Sequence, residues 1–509
     1  MGSVLAPALA LLLATAHAAG QSAPLVRLQG WVGRARSLPR TVDEEREEEL
    51  RAILGELRLA DADPSALTLG LIGLASLGRE LGNDPGGAAA EKPPAPLLAS
   101  ARLGRKELED ELARGGAECA TRLARDVLDR TRRRPPEERV LAAELLADAH
   151  APETLALLCA AAREDDRDLA LAARTALCGW DEPRVHLFFL EELAHHAPLT
   201  RLAGEHFQRT RASLGDAALT ELARHVAQRY LSDDWREAAG ARELGRALDT
   251  PRLVPILIEA LATWNRRGEN GKGSKRIRAE ILAELRRISG RAIGPVPENW
   301  SAWWEGVQSG RNALPEELAA AGIESSTASF FGLHAFTDRV LFVVDRSGSM
   351  RTALATGEHS RHDEAIEQML RFLRQSGEDT RFSVAMFNAK GYAWRSRLQP
   401  ASDGNLELAR HWLEGNPPEG STYLFEGLRT GLSLDSHGRI PLERCEADTV
   451  IVLCDGATAE GPGWVARWLA EENEGAQLVF HCVLIGGEGD GTLEALAKGS
   501  GGEFVHVQS

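Results

Sequence analysis

Cysteine is scarce in this sequence: six residues in 509, Cys119, Cys159, Cys178, Cys445, Cys454 and Cys482, with no CxxC pair and no zinc-like spacing. That excludes a disulfide-stapled scaffold and a thiolate zinc site. A single bridge, such as Cys159 with Cys178, stays open if the chain is exported, whereas Cys454 and Cys482 lie in apolar runs and read as core residues. Lysine is scarcer relative to its usual share, six against 53 arginines, a skew to which we attach no functional meaning. Positive charge is in deficit overall: 59 Lys and Arg against 75 Asp and Glu give a formal charge of −16. A general nucleic-acid binder is thereby disfavoured, because neutralising phosphates needs clustered cations in excess. Beyond the amino terminus no segment reaches the roughly 20 uncharged apolar residues of a membrane span. There is no Walker motif, HExxH or catalytic-triad spacing. What is present is ample apolar material: 43% hydrophobic residues with 26% charged ones exclude disorder as the main state, and the length predicts two to four domains.

The first 26 residues contain no charged side chain, and an apolar stretch from Val4 to Ala14 runs into Ala16-His17-Ala18. This predicts a signal peptide over 1–18, cleaved after Ala18, and hence an exported protein, periplasmic, cell-surface or secreted. The other readings are an uncleaved anchor, a misplaced start, or an Ala-rich tail on a cytoplasmic protein.

Residues 40–290 read as successive helices, with apolar residues at three-to-four spacing and almost no β-branched runs. Three helix starts align on a proline, at Pro152, Pro183 and Pro251, spaced by 31 and 68 residues. One period of 34 after Pro183 falls at Ala217, where a copy without proline begins. Proline at the start of a helix removes an amide that has no intrahelical acceptor there. Repeats of this length, pairing an Ala-rich helix with a proline-started one, resemble the HEAT family of α-solenoids, which implies a scaffold offering a surface to a second protein. An irregular helical bundle is the other reading. Residues 83–97, rich in Gly, Ala and Pro, read as a linker or loop. The cluster Arg266, Arg267, Lys272, Lys275, Arg276 and Arg278 reads as solvated charge. Within a connector over 291–334, Trp300, Trp303 and Trp304 share one helical face and predict packing rather than a ligand cage.

From residue 335 to 509 apolar strands alternate with amphipathic helices, which predicts a doubly wound α/β sheet with its site beyond the carboxyl ends of the strands. The first strand ends in Asp345-Arg346-Ser347-Gly348-Ser349. A carboxylate at a strand end, with hydroxyls two and four residues on, can converge oxygens on a hard cation. Gly420-Ser421-Thr422 opens a later helix, and Val450 to Cys454 leads into Asp455-Gly456. These segments resemble the metal-ion-dependent adhesion site of the von Willebrand factor type A (VWA) domain. The resemblance implies that Asp345, Ser347, Ser349, Thr422 and Asp455 hold Mg²⁺, with Mn²⁺ or Ca²⁺ as alternatives, and that an Asp or Glu of a protein partner completes the coordination. His359, His362 and Asp363 read as a solvated loop with a helix cap rather than catalytic groups. The glycine-rich run Gly486 to Gly491, lacking lysine, reads as a turn. The fold class is thus multidomain, a HEAT-like α-helical solenoid followed by a Rossmann-like VWA domain. The functional expectation is a non-enzymatic exported binding or scaffold protein, with an intracellular assembly factor or co-chaperone acting beside an ATPase as the alternative. Residues 335–509 carry 16 basic and 26 acidic side chains, so −10 of the −16 charge lies in the part expected to bind a cation.

Overall fold

The computed structural model describes residues 23–37, 42–59, 63–80, 95–148, 150–195, 199–315, 329–333, 335–353 and 359–507. The expected signal peptide, and residues 83–94 of the expected linker, lie outside them. The chain divides into two compact units, 1–188 and 189–509. Among the described residues no helix is long and apolar enough to cross a membrane.

The first unit is helical. Its helices include Ala23–Ser37, Glu44–Leu59, Pro64–Glu80, Ala95–Leu123, Pro136–Leu145, Pro152–Ala161 and Arg167–Cys178. Pro152 opens its helix as its position predicts, and Asp166 caps the next by accepting from Leu169 N–H at 3.0 Å.

The second unit begins with helices stacked in two layers. Thr200–Arg209, Trp235–Gly245 and Lys275–Ser289 form one layer, and Asp216–Tyr230, Thr250–Glu269 and Pro297–Gln308 form the other. Each helix packs on the next but one in sequence, the arrangement a helical repeat needs to bury its apolar stripe. Gly240 permits the close approach inside the first layer, since a Cβ there would come within 2.6 Å of Thr200 Oγ1. Trp300, Trp303 and Trp304 are buried, and Trp300 Nε1–H donates to Gly294 O at 2.9 Å.

Among the described residues the α/β part holds seven strands: β1 Arg339–Asp345, β2 Arg381–Phe387, β3 Gly391–Ala393, β4 Gln399–Pro400, β5 Thr449–Cys454, β6 Val479–Ile485 and β7 Phe504–Val507. The order is β3-β2-β1-β5-β6-β7, with β4 also paired to β2. β1, β2, β5, β6 and β7 are parallel, while the short β3 and β4 run antiparallel to β2. Strand alternation divides the core: Val340, Phe342 and Val344 pack with the helix Arg361–Ser376 on one face, and Leu341 and Val343 with the helix Leu424–Gly431 on the other. Phe330 and Leu333, upstream of residue 335, also belong to the first of these cores.

The cluster around Arg276 departs from the solvated expectation. Arg276 is 8% exposed and donates to Asp448 O (2.8 Å) and Gln477 O (2.6 Å), the residues just before β5 and β6. Lys275 Nζ donates to Ser376 O at 3.0 Å, and Arg236 donates to Cys445 O. Carbonyls at this edge of the fold need donors, and arginine and lysine supply them, with Asp448 O also accepting from Val479 N–H at 3.2 Å. The helices therefore meet the sheet at the end opposite Asp345.

Candidate metal centre

The chain order around β1 places the switch point of the sheet between β1 and β5, where β1 ends in Asp345 and β5 is followed by Asp455. Asp345 closes the buried strand β1 and is itself fully buried. Ser347 N–H donates to Asp345 Oδ1 at 2.6 Å, curling the backbone over the carboxylate. One 3-10 turn, Gly348–Arg351, follows, anchored by buried Met350. The turn brings Ser349 Oγ to 3.0 Å from Ser347 Oγ and 2.8 Å from Asp455 Oδ1. Asp345, Ser347, Ser349 and Asp455, separated by up to 110 positions in sequence, thus form one hydrogen-bonded cluster.

Thr422 joins through backbone contacts. Its carbonyl accepts from Ala459 N–H (2.9 Å) on the Asp455 loop, and the neighbouring Gly420 carbonyl accepts from Gly348 N–H (3.0 Å) on the Asp345 loop. Glu460 Oε1 accepts from Phe425 N–H at 3.1 Å, so a carboxylate from the Asp455 loop caps the helix that follows Thr422, at the end where the helix dipole favours negative charge.

The two carboxylates differ electrically. Burial, with the nearby Asp455 charge adding to it, pushes the Asp345 carboxyl up to about 6, against the Ser347 amide and the Cys454 thiol that hold it down. Cys454 Sγ donates to Asp345 Oδ2 at 3.1 Å, and burial keeps this thiol protonated by raising it well above its ordinary range. Among the described residues Asp345 has no ion pair. Asp455 has one, from Oδ2 to Arg361 Nη1 at 2.9 Å.

The remaining expectations resolve simply. Ser360 and Asp363 form a reciprocal capping box at the start of Arg361–Ser376. His362 is buried, not solvated, and burial lowers its pKa. In the glycine-rich turn Asp490 accepts from Thr458 Oγ1 (2.9 Å) and Thr492 N–H (2.9 Å), pinning the loop to the β5 side. Sequence reasoning missed Arg361, Cys454 and Glu460. Only Arg361 leaves a trace in sequence, as a cation at the first position of a helix, where the dipole disfavours it.

Among the described residues no group of three or more His, Cys, Asp or Glu side chains could hold a metal ion. The cluster here is built differently, from two carboxylates and neighbouring hydroxyls. These oxygens, beside a buried carboxylate that has no ion pair among the described residues and whose thiol neighbour Cys454 stays protonated, suit a hard divalent cation such as Mg²⁺.

Residues 340–457 match the family model of the von Willebrand factor type A domain. Inter-alpha-trypsin inhibitor heavy chain H1 of Sus scrofa is 31% identical over 124 residues, 24% of this chain and 13% of that protein. Heavy chain H4 of Homo sapiens is 26% identical over 213 residues, 40% of this chain and 21% of that protein. The chain therefore spans a small part of these relatives. Among solved structures, a von Willebrand factor type A protein from Catenulispora acidiphila aligns with TM-score 0.26 and 16% identity, over 35% of this chain and 40% of that one. Proximal thread matrix protein 1 from the mussel byssus aligns with TM-score 0.25 and 18% identity, over 33% and 41%. From β1 through the Asp455 loop, the chain is similar to von Willebrand factor type A domains.

Proposed function

We propose that the α/β part of this chain is a metal-dependent protein-binding module and that the protein is a non-enzymatic, exported adhesion or scaffold protein. The observation that carries this is the buried Asp345 carboxylate, which has no ion pair among the described residues, clustered with Ser347, Ser349 and Asp455 at the switch point of the sheet. When bound, Mg²⁺ would supply Lewis acidity and a coordination position that the five protein groups do not fill. Asp345, Ser347, Ser349 and Thr422 would hold the ion, and Asp455 would hold it through water. A partner's Asp or Glu is the group expected at the remaining position, and the stacked helices offer a second protein surface. The similarity to inter-alpha-trypsin inhibitor heavy chains supports a protein-binding role.

The test is thermal unfolding of the full chain in Mg²⁺, Mn²⁺ or chelator. Selective binding to the folded state stabilises by about 2.7 kcal/mol at 100-fold excess over Kd. The melting temperature should rise with metal, and Asp345→Ala should abolish the rise. An equal rise in that variant would locate the metal elsewhere and refute the reading.

A further inference from the structure

The proposed centre has a third fixed charge. Arg361 opens the helix Arg361–Ser376, where the macrodipole disfavours a cation, so helix energetics do not account for its position. Its side chain is only 11% exposed, and its Nη1 meets Asp455 Oδ2 at 2.9 Å. The pocket is shaped for it: Gly486, at φ 78°, stands where a Cβ would lie 2.5 Å from Arg361 Nη2. The arginine is also fixed from the backbone, since Arg361 N–H donates to Thr352 O at 3.0 Å and Ala353 pairs with Ser360. The motif loop itself therefore delivers this guanidinium to the carboxylate at the end of β5. Its Nε is buried and has no hydrogen-bond partner among the described residues.

We infer that Arg361 sets both the metal affinity and the ligand charge preference of the centre. With Ser349 on Oδ1 and Arg361 on Oδ2, both Asp455 oxygens are engaged, which disfavours direct ligation and leaves contact through water. The charge count follows. Asp345 and Asp455 against Arg361 leave −1, and a divalent ion turns the centre to +1. Without the arginine the loaded centre would be neutral. Arg361 thus weakens capture of the cation and strengthens capture of an anionic group, so that the ligand class is a carboxylate side chain rather than a neutral hydroxyl or amide. This depends on the metal-binding reading above.

The experiment measures Mn²⁺ binding to the full chain by the loss of the free-ion electron paramagnetic resonance signal. Wild type, R361Q, G486A and D345A are compared. Removing a nearby like charge from a partly buried site is worth at least about ten-fold in affinity. R361Q should therefore bind Mn²⁺ at least about ten-fold more tightly than wild type. G486A, which pushes the guanidinium away without removing it, should shift affinity in the same direction by less. G486A keeps the question answerable if R361Q fails to fold. Acetate added to the Mn²⁺-loaded protein should weaken in affinity in R361Q. Unchanged or weaker Mn²⁺ binding in both variants, with D345A still abolishing it, would overturn the role of Arg361 and leave the metal centre standing. Wild type and D345A binding alike would overturn both.

Discussion

Replacing Asp345 by Asn should stabilise the metal-free protein, although it removes the central group of the proposed site. The carboxyl is pushed from its ordinary 3.8 up to about 6, chiefly by burial. At 1.36 kcal/mol per pKa unit, keeping Asp345 ionised at neutral pH costs about 3 kcal/mol of folding free energy. The sign follows from linkage. The folded-state pKa is raised above the unfolded one, so this contribution to stability is intact below about 3.8 and is lost as pH rises through about 6. Asn retains the oxygen that accepts from Ser347 N–H and carries no charge. The assay is thermal unfolding in chelator at pH 4.5 and 7.5, reading the transition that includes the α/β part. At pH 7.5 the variant should melt several degrees above wild type, and at pH 4.5 the gap should shrink to about a third. Saturating Mg²⁺ should reverse the order, because only wild type gains from the ion. A variant less stable than wild type at pH 7.5 in chelator would show that the buried carboxylate is compensated, and the argument for a cation there would fail.

Asp448→Asn should behave similarly without any metal dependence. Burial pushes Asp448 up to about 6, and Asn preserves an acceptor for Thr337 and Thr449, so denaturant titrations should show a gain above pH 6 that vanishes near pH 4. Arg276→Met should lower stability by about 1–3 kcal/mol by stranding the Gln477 carbonyl, the Asp448 carbonyl keeping its Val479 N–H donor, whereas Arg184→Ala, at an exposed position, should change it by less than about 0.5 kcal/mol. Trp300→Ala should cost about 3–5 kcal/mol, measured by urea unfolding followed by circular dichroism. Glu460→Ala should remove the cap from Leu424–Gly431 at about 1 kcal/mol and speed amide exchange at Phe425.

Much of the α/β half was legible in sequence. The bounds of β2 and β5 agree with the apolar runs, because strands buried on both faces must be continuously hydrophobic. The two-residue β4 and three-residue β3 were not legible, since strands so short at a sheet edge carry no hydrophobic pattern. The segment before β6 is helical but changes type along its length, from a 3-10 turn through the helix Val465–Trp468 to a π-helical turn, a detail that hydrophobic periodicity does not encode. The proline-started helices at Pro152, Pro183 and Thr250 were readable because a proline at the first turn is a local signal.

The sequence by itself determined the helix-then-α/β order and the presence of Asp345, Ser347, Ser349, Thr422 and Asp455 on strand ends and turns, because strand periodicity and turn chemistry are local. The tertiary structure alone decided their charge balance. Arg361 and Asp455 lie 94 positions apart and meet only because parallel β1 and β5 end side by side. Likewise Arg276 turned from surface charge into a buried donor because the strands it serves begin 173 and 203 residues later. Burial and pairing are properties of what the fold brings alongside, and residue type does not encode them.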